Sequence, residues 1–298
     1  MSTPPQARLI GAYCVLILVW GTTWAAIRMG LAGVPPFTGV ALRFALAGAV
    51  LLAAAPWLGV RLGRSRREVW LWIANGGLSF CLSYSIVYWS EQYIPSGLAA
   101  VLFATYPLFV AALAHALLPG ERLSLRSVAG MLLGFAGVAV IFSDDLRLLG
   151  GERVRQAALV MLVSPLVSAL ATVLVKRWGS GIHPLSLAAM PMLICAAVMG
   201  PVALVLERGR PILWDARSIG ALVYLALLGS AVTFTIYYWV LARVPATRVA
   251  LITYVIPIVA LAVGAVAFGE PLRPRVLAGS ALVLAGVAGV SLMRTKDR

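Results

Sequence analysis

The sequence predicts an all-α integral membrane protein: ten transmembrane helices, arranged as two inverted five-helix repeats. Three observations predict it. The 298 residues are 62% hydrophobic and 11% charged, with a mean hydropathy of +0.98. So few charges would not cover a water-exposed surface, and lipid is the natural solvent. Ten apolar stretches approach the roughly 20 residues that a span requires. Finally, residues 88–142 recur from Tyr238: at an offset of 150, Tyr88-Trp89, Pro95 and Pro107 fall on Tyr238-Trp239, Pro245 and Pro257. After a one-residue deletion Gly120-Glu121, Gly130 and Gly137 fall on Gly269-Glu270, Gly279 and Gly286. Apolar helices resemble one another readily, but matched prolines and a matched Gly-Glu mark a duplication.

The ten stretches are 9–30, 36–57, 69–92, 95–118, 125–143, 155–177, 184–206, 217–241, 246–268 and 274–293. The first has no cleavage-site pattern and reads as a retained signal anchor. Five spans precede the loop Ser143–Arg155 and five follow it, dividing the chain into repeats 1–148 and 149–298. An odd number per repeat inverts the second copy, as in many secondary transporters. With the N-terminus inside, fourteen Lys/Arg fall on cytoplasmic segments and nine outside. This bias predicts an inner-membrane, multi-pass protein with both termini cytoplasmic. It also accounts for the net charge of +14 without nucleic acid, because the basic residues form short clusters between apolar runs.

The Pro107…Gly120-Glu121-Arg122-Leu123-Ser124…Gly130…Gly137 run and its echo resemble the EamA-type members of the drug/metabolite transporter superfamily. Trp20–Arg28 (WGTTWAAIR) and Ala41–Gly48 (ALRFALAG) look like that family's first two helices, and the likeness covers essentially the whole chain. The resemblance implies a basket of helices one to four and six to nine around a cavity, with five and ten packed outside. It implies export of small metabolites, often amino acids or amphiphilic compounds, and carries over no catalytic residue.

Arg43 lies about 10 Å into the second span at 1.5 Å per residue. It reads either as a fixed charge in the pathway, holding a carboxylate, or as a snorkelling or carbonyl-capping side chain. Glu91 ends the third span and has no acidic counterpart in the second copy, where Leu241 stands. It reads as a vestibule residue that binds an ammonium or takes a coupling proton, or as an interfacial carboxylate.

Trp20 with Trp24, and Tyr84 with Tyr88, are pairs four residues apart on one helical face. Asn75, Ser79, Thr105, Tyr106, Thr253 and Tyr254 add polar atoms near mid-span, with Ser83 beside them. Together they suit a cavity for a small amphipathic solute. Trp57, Trp70, Trp72, Trp178 and Trp214 read as interfacial anchors. Pro107 and Pro257 should each kink a helix, and paired Pro-interrupted segments point to the binding site and its hinge.

Glu121 and Glu270 precede the fifth and tenth helices and complement their positive ends. The glycines of those helices allow close packing and offer a weak dimer face, so a monomer or weak dimer is expected. His115 reads as a packed neutral histidine, and Cys14, Cys81 and Cys195 as small packing residues. Phosphate loops, metal-spaced His/Cys sets and a nucleophile elbow are absent from the sequence. The expected protein is therefore no enzyme and needs no cofactor or metal. It exports small metabolites, most plausibly amino acids, by alternating access through contacts with its substrate and surrounding lipid. Export of lipophilic cations or drugs is the alternative. A non-transporting scaffold or sensor fits less well, since no extramembrane domain is evident.

Overall fold

The computed structural model describes residues 6–60, 62–63, 65–143, 151–258 and 274–292. Among these the secondary structure is helical, with no strand. Seven helices are long and apolar enough to cross a membrane: α1 (Gln6–Leu31), α2 (Pro36–Trp57), α3 (Arg66–Ser90), α4 (Ser96–Leu117), α6 (Glu152–Trp178), α7 (Pro184–Leu206) and α8 (Ala216–Leu241). Three apolar helices are shorter: α5 (Leu125–Ile141), α9 (Ala246–Ile258) and α10 (Pro274–Val290). The expected ninth span runs past the described residues, as does Glu270. The end of the bundle where α1 starts is called the near end here, and the end where it finishes the far end.

Apolar hydrocarbon offers no hydrogen bonds, so helix ends and interruptions must find partners within the protein. Ser65, Ser124, His183 and Asp215 cap their own helices, α3, α5, α7 and α8, by accepting from N–H groups of the first turn. Other caps arrive from far away in sequence. Glu207, after α7, accepts from Phe37 N (2.8 Å) and Thr38 N (2.7 Å) at the start of α2. Glu121 was expected to serve the helix that follows it. Instead it accepts from Ala246 N (2.9 Å) and Thr247 N (3.2 Å) and caps α9, because α9's open N-terminus is the unsatisfied donor set beside it.

Glycines decide where helices meet. A Cβ on Gly137 would lie 2.6 Å from Gly279 O, and one on Gly286 would lie 2.4 Å from Gly130 O, so α5 and α10 touch backbone to backbone. The glycine faces read from the sequence as a dimer surface are thus consumed within the chain. Tyr254 of α9 packs across Gly134 and donates to Met131 O at 2.8 Å. On the other side of the bundle Gly48 of α2 receives Leu193 of α7.

Two helices change register. Gly76–Ser83 in α3 and Leu227–Val232 in α8 are π-helical, and shifted back by 150 residues the second falls within the first. Glycine weakens both stretches locally, and π segments concentrate at functional sites. α4 is interrupted at Ala104–Thr105, where Tyr106 and Pro107 open its second half. Pro107 therefore stands in a first turn, where its missing N–H costs nothing, and not at the centre of an unbroken kink.

Gly137→Ala should lower the free energy of unfolding by ~1–3 kcal/mol, the usual cost of overpacking, because backbone cannot move aside cheaply. Gly220→Ala, where an added Cβ meets nothing within 4 Å, should be neutral or gain up to ~1 kcal/mol. Thermal unfolding of the two variants in detergent would check the contrast.

Candidate functional site

A cleft between α1, α3, α4, α6, α8 and α9 encloses about 970 Å³ of non-protein space, its open part included. Trp20, Trp24, Ser79, Tyr84, Tyr106, Thr253 and Pro257, all singled out in the sequence, line it. Phe103, Ser83, Ser168, Thr172, Phe234, Tyr237 and Tyr238 line it too. The rings form two groups, joined where the Tyr106 and Tyr237 hydroxyls meet. Trp20 meets Phe234 and Tyr237 at 5.5 Å each, Trp24 meets Phe103 at 5.8 Å, and Phe103 stacks on Tyr106 at 5.7 Å. No acidic or basic side chain is among the lining residues.

Three hydroxyls of lining residues bond one another. Tyr106 O–H lies 2.8 Å from Thr172 Oγ1 and 2.7 Å from Tyr237 O–H, and these last two are 3.0 Å apart. α4, α6 and α8 are tied together by this triangle. Beyond it, Lys176 Nζ donates to Leu241 O (2.7 Å) and Val244 O (2.9 Å), and Arg177 donates to Leu117 O. Trp20 lines the cleft, and its indole Nε1 is buried with no hydrogen-bond partner. A buried N–H without an acceptor costs about 1–3 kcal/mol.

The structure puts Arg43 behind the wall and not on it. The side chain is 0% exposed. Its Nε donates to Ser230 Oγ (2.8 Å), Nη1 to Tyr88 O–H (3.3 Å) and Nη2 to Gly229 O (3.1 Å). The guanidinium carbon sits 4.8 Å from the Tyr84 ring centre and 5.3 Å from that of Phe44. The π register explains the docking: Thr233 N–H bonds Leu228 O, five residues back, and the Gly229 carbonyl accepts from Arg43. Among the described residues no carboxylate pairs with Arg43, since the ion pair found there is Glu152–Arg155 at the surface.

Other expected cavity residues also lie off the lining. Tyr88 is buried against Gly39 and holds Arg43. Asn75 is buried behind Tyr238, donating to its hydroxyl (2.7 Å) and to Leu187 O. Thr105 turns its hydroxyl back to Leu102 O, and Tyr254 faces α5. Glu91 is 1% exposed in the turn between α3 and α4. Pro107 is buried beneath the wall.

Trp72 is no interfacial anchor. It is buried, donating to Ser186 Oγ at 3.0 Å. His115 is exposed and accepts from Leu123 N, because it caps the loop after α4 instead of packing in the core. Phe234 and Tyr237, three residues apart, were legible as one helical face but were passed over. Among the described residues no three His, Cys, Asp or Glu side chains gather as a metal site.

The family model described as "EamA-like transporter family" matches residues 9–143 and again 155–292. A Bacillus subtilis protein described as uncharacterized transporter YvbV is 27% identical over 301 residues, covering 100% of this chain and 95% of that one. A Streptantibioticus cattleyicolor protein described as a probable terminal-alkyne amino-acid exporter is 30% identical over 295 residues, covering 97% and 94%. A solved crystal structure superposes with a TM-score of 0.82 at 23% identity, over 98% of this chain and 99% of the other.

Arg43→Lys keeps the charge but replaces a three-sided fork with a point donor. It should lower stability by about 1.5–3 kcal/mol, the range for hydrogen bonds to charged groups. Comparing the midpoints of thermal unfolding in detergent, with Arg28→Lys alongside, would check it.

Proposed function

The chain belongs to the EamA-like transporter family, and we propose that it exports small metabolites, amino acids or related amphiphilic solutes, by alternating access through the aromatic cleft. On this reading ten spans form two inverted copies, 1–148 and 149–298, in the cell membrane with both termini cytoplasmic. The near end then faces the cytoplasm. Support comes from the two separate family matches, one in each half, from the coincident π segments and from the Lys/Arg bias.

One observation carries the choice of solute. A fully buried guanidinium stands behind Tyr84, unpaired by any described carboxylate, and the Nε1 of the lining residue Trp20 has no acceptor. In a low-dielectric interior that positive potential is poorly screened and favours an anionic group in the cleft. A substrate carboxylate would accept from Trp20 Nε1, its apolar body would lie among Trp24, Phe103 and Phe234, and its ammonium would meet hydroxyls. The relative named as an amino-acid exporter agrees with this chemistry. Ring faces also attract lipophilic cations, which is the specific case for the drug reading, but Arg43 opposes it.

The cycle follows from what closes each side. On this reading the Tyr106–Thr172–Tyr237 triangle and the Lys176, Arg177 and Glu121 caps are the contacts that hold the near end together. Export requires them to part while the far end closes. Pro107 and Pro257, with the interruption at Ala104–Thr105, supply the hinges for the two halves to rock.

Counterflow of labelled phenylalanine into protein-only liposomes tests the reading. Unlabelled amino acids inside should accelerate uptake. Trp20→Phe should raise the half-saturation concentration about tenfold or more, since a hydrogen bond to a charged group contributes about 1.5–3 kcal/mol. Acceleration by quaternary ammonium compounds with none by amino acids would transfer the assignment to cations.

A further inference from the structure

Four described carboxylates are buried: Glu68, Glu91, Glu121 and Glu207. Glu121 and Glu207 each hold both oxygens on the N–H groups of a helix start. Glu68 accepts from Ser186 Oγ at 2.6 Å. Glu91 differs. Its Oε2 accepts a single hydroxyl, Ser96 Oγ at 3.1 Å, and its Oε1 is buried with no partner. An ionised carboxylate held this way would be desolvated and nearly unpaired, whereas a neutral carboxylic acid would not.

We propose that Glu91 is the site that binds the coupling proton of this transporter. It is carried on the turn between α3 and α4, outside both spans. Ser96 is the first residue of α4, and Ala100 and Phe103, one and two turns further on, belong to the cleft wall. Arg28 of α1 lies alongside, donating to the backbone carbonyls of Glu91 (3.3 Å) and Ile94 (3.0 Å) rather than to the carboxyl. Coupling requires the proton to leave toward the near end, and the new carboxylate then competes for Arg28. Shifting that guanidinium releases the Ile94 carbonyl and loosens the turn that positions the first half of α4. Proton binding and cleft shape are thereby linked, and linkage is reciprocal.

The surrounding charges oppose a neutral acid, and burial outweighs them. Arg28 faces it from α1, Arg43 lies deeper on α2, and Tyr88 is on its own helix. From α6, Ala157 faces the adjoining Ser90, while Glu152, Arg153 and Arg155 are exposed. Burial is the dominant influence and pushes the Glu91 carboxyl up to about 8, against the opposing pull of Ser96 and both arginines. Since the folded protein prefers the protonated form, its stabilising contribution is complete below 4.5, the ordinary value, and is lost as pH rises through about 8.

The inference takes its meaning from the transporter reading, but its test does not depend on it. Infrared difference spectra between wild type and Glu91→Gln, titrated in lipid, should show a protonated-carboxyl band that disappears with a midpoint near 8. A midpoint in the ordinary carboxylate range would overturn the proposal. The melting temperature of wild type should also fall relative to Glu91→Gln between pH 5 and 9; parallel curves would count against it. In liposomes an imposed pH gradient should drive phenylalanine accumulation in wild type and not in Glu91→Gln, while equal-pH counterflow persists in both. Gradient-driven accumulation by Glu91→Gln would overturn the coupling role. Absence of phenylalanine counterflow in wild type would instead reject the amino-acid reading, leaving the infrared midpoint to decide the proton site.

Discussion

A positive charge removed entirely from solvent, with no described carboxylate to balance it, is the constraint on which the arrangement of the cleft depends. Placing an Arg at the centre of a span costs about 2.5–3.5 kcal/mol on insertion scales. The fold offsets this by surrounding Arg43 with a serine hydroxyl, a tyrosine hydroxyl, a backbone carbonyl and two ring faces. Those partners come from α2, α3 and α8. The same contacts therefore fix the α8 π segment and aim Tyr84 into the cleft. The cleft is neutral at its described lining and positive just behind it.

The polar contacts at the bundle ends follow a related logic. Glu121 caps α9, Glu207 caps α2, and Lys176 caps the end of α8, each across long sequence separations. Every one ties a segment of residues 1–148 to one of 149–298, or a lining helix to its neighbour. Such bonds contribute modestly in membrane proteins, about 0.6 kcal/mol on average. Contacts of that size can be exchanged between conformations without unfolding either. The α5–α10 contact is different in kind, because backbone meets backbone through glycine and leaves no room for graded adjustment. It makes a frame against which the cleft helices can move.

Much of this was legible in the sequence for physical reasons. Hydropathy marks helices because lipid demands closed backbone hydrogen bonding, and the glycines of α5 and α10 mark close packing. Trp20 and Trp24, Ser79, Tyr84, Tyr106 and Thr253 could be read as a polar–aromatic set because they lie mid-span in an apolar background. What could not be read is direction. Thr253 and Tyr254 are neighbours about 100° apart on a helix, and one lines the cleft while the other packs on α5. Arg43 was recognisable as a costly buried charge, but two of its partners, Gly229 and Ser230, lie nearly 190 residues away in a stretch whose register departs from the α-helix. Glu121 likewise sits four residues before α5 yet serves α9. Trp72 looks like an interfacial tryptophan by position, and only the approach of Ser186 makes it a buried donor.

The central claim is that the cleft selects a carboxylate because Arg43 stands behind it. Binding of phenylalanine and of phenethylamine, which differ by the carboxylate alone, would test this most directly when followed by intrinsic tryptophan fluorescence on the purified protein in lipid. Saturable binding of phenylalanine with none by phenethylamine at the same concentrations is the predicted result. Equal or tighter binding of phenethylamine would contradict the account and identify the cleft as a cation site.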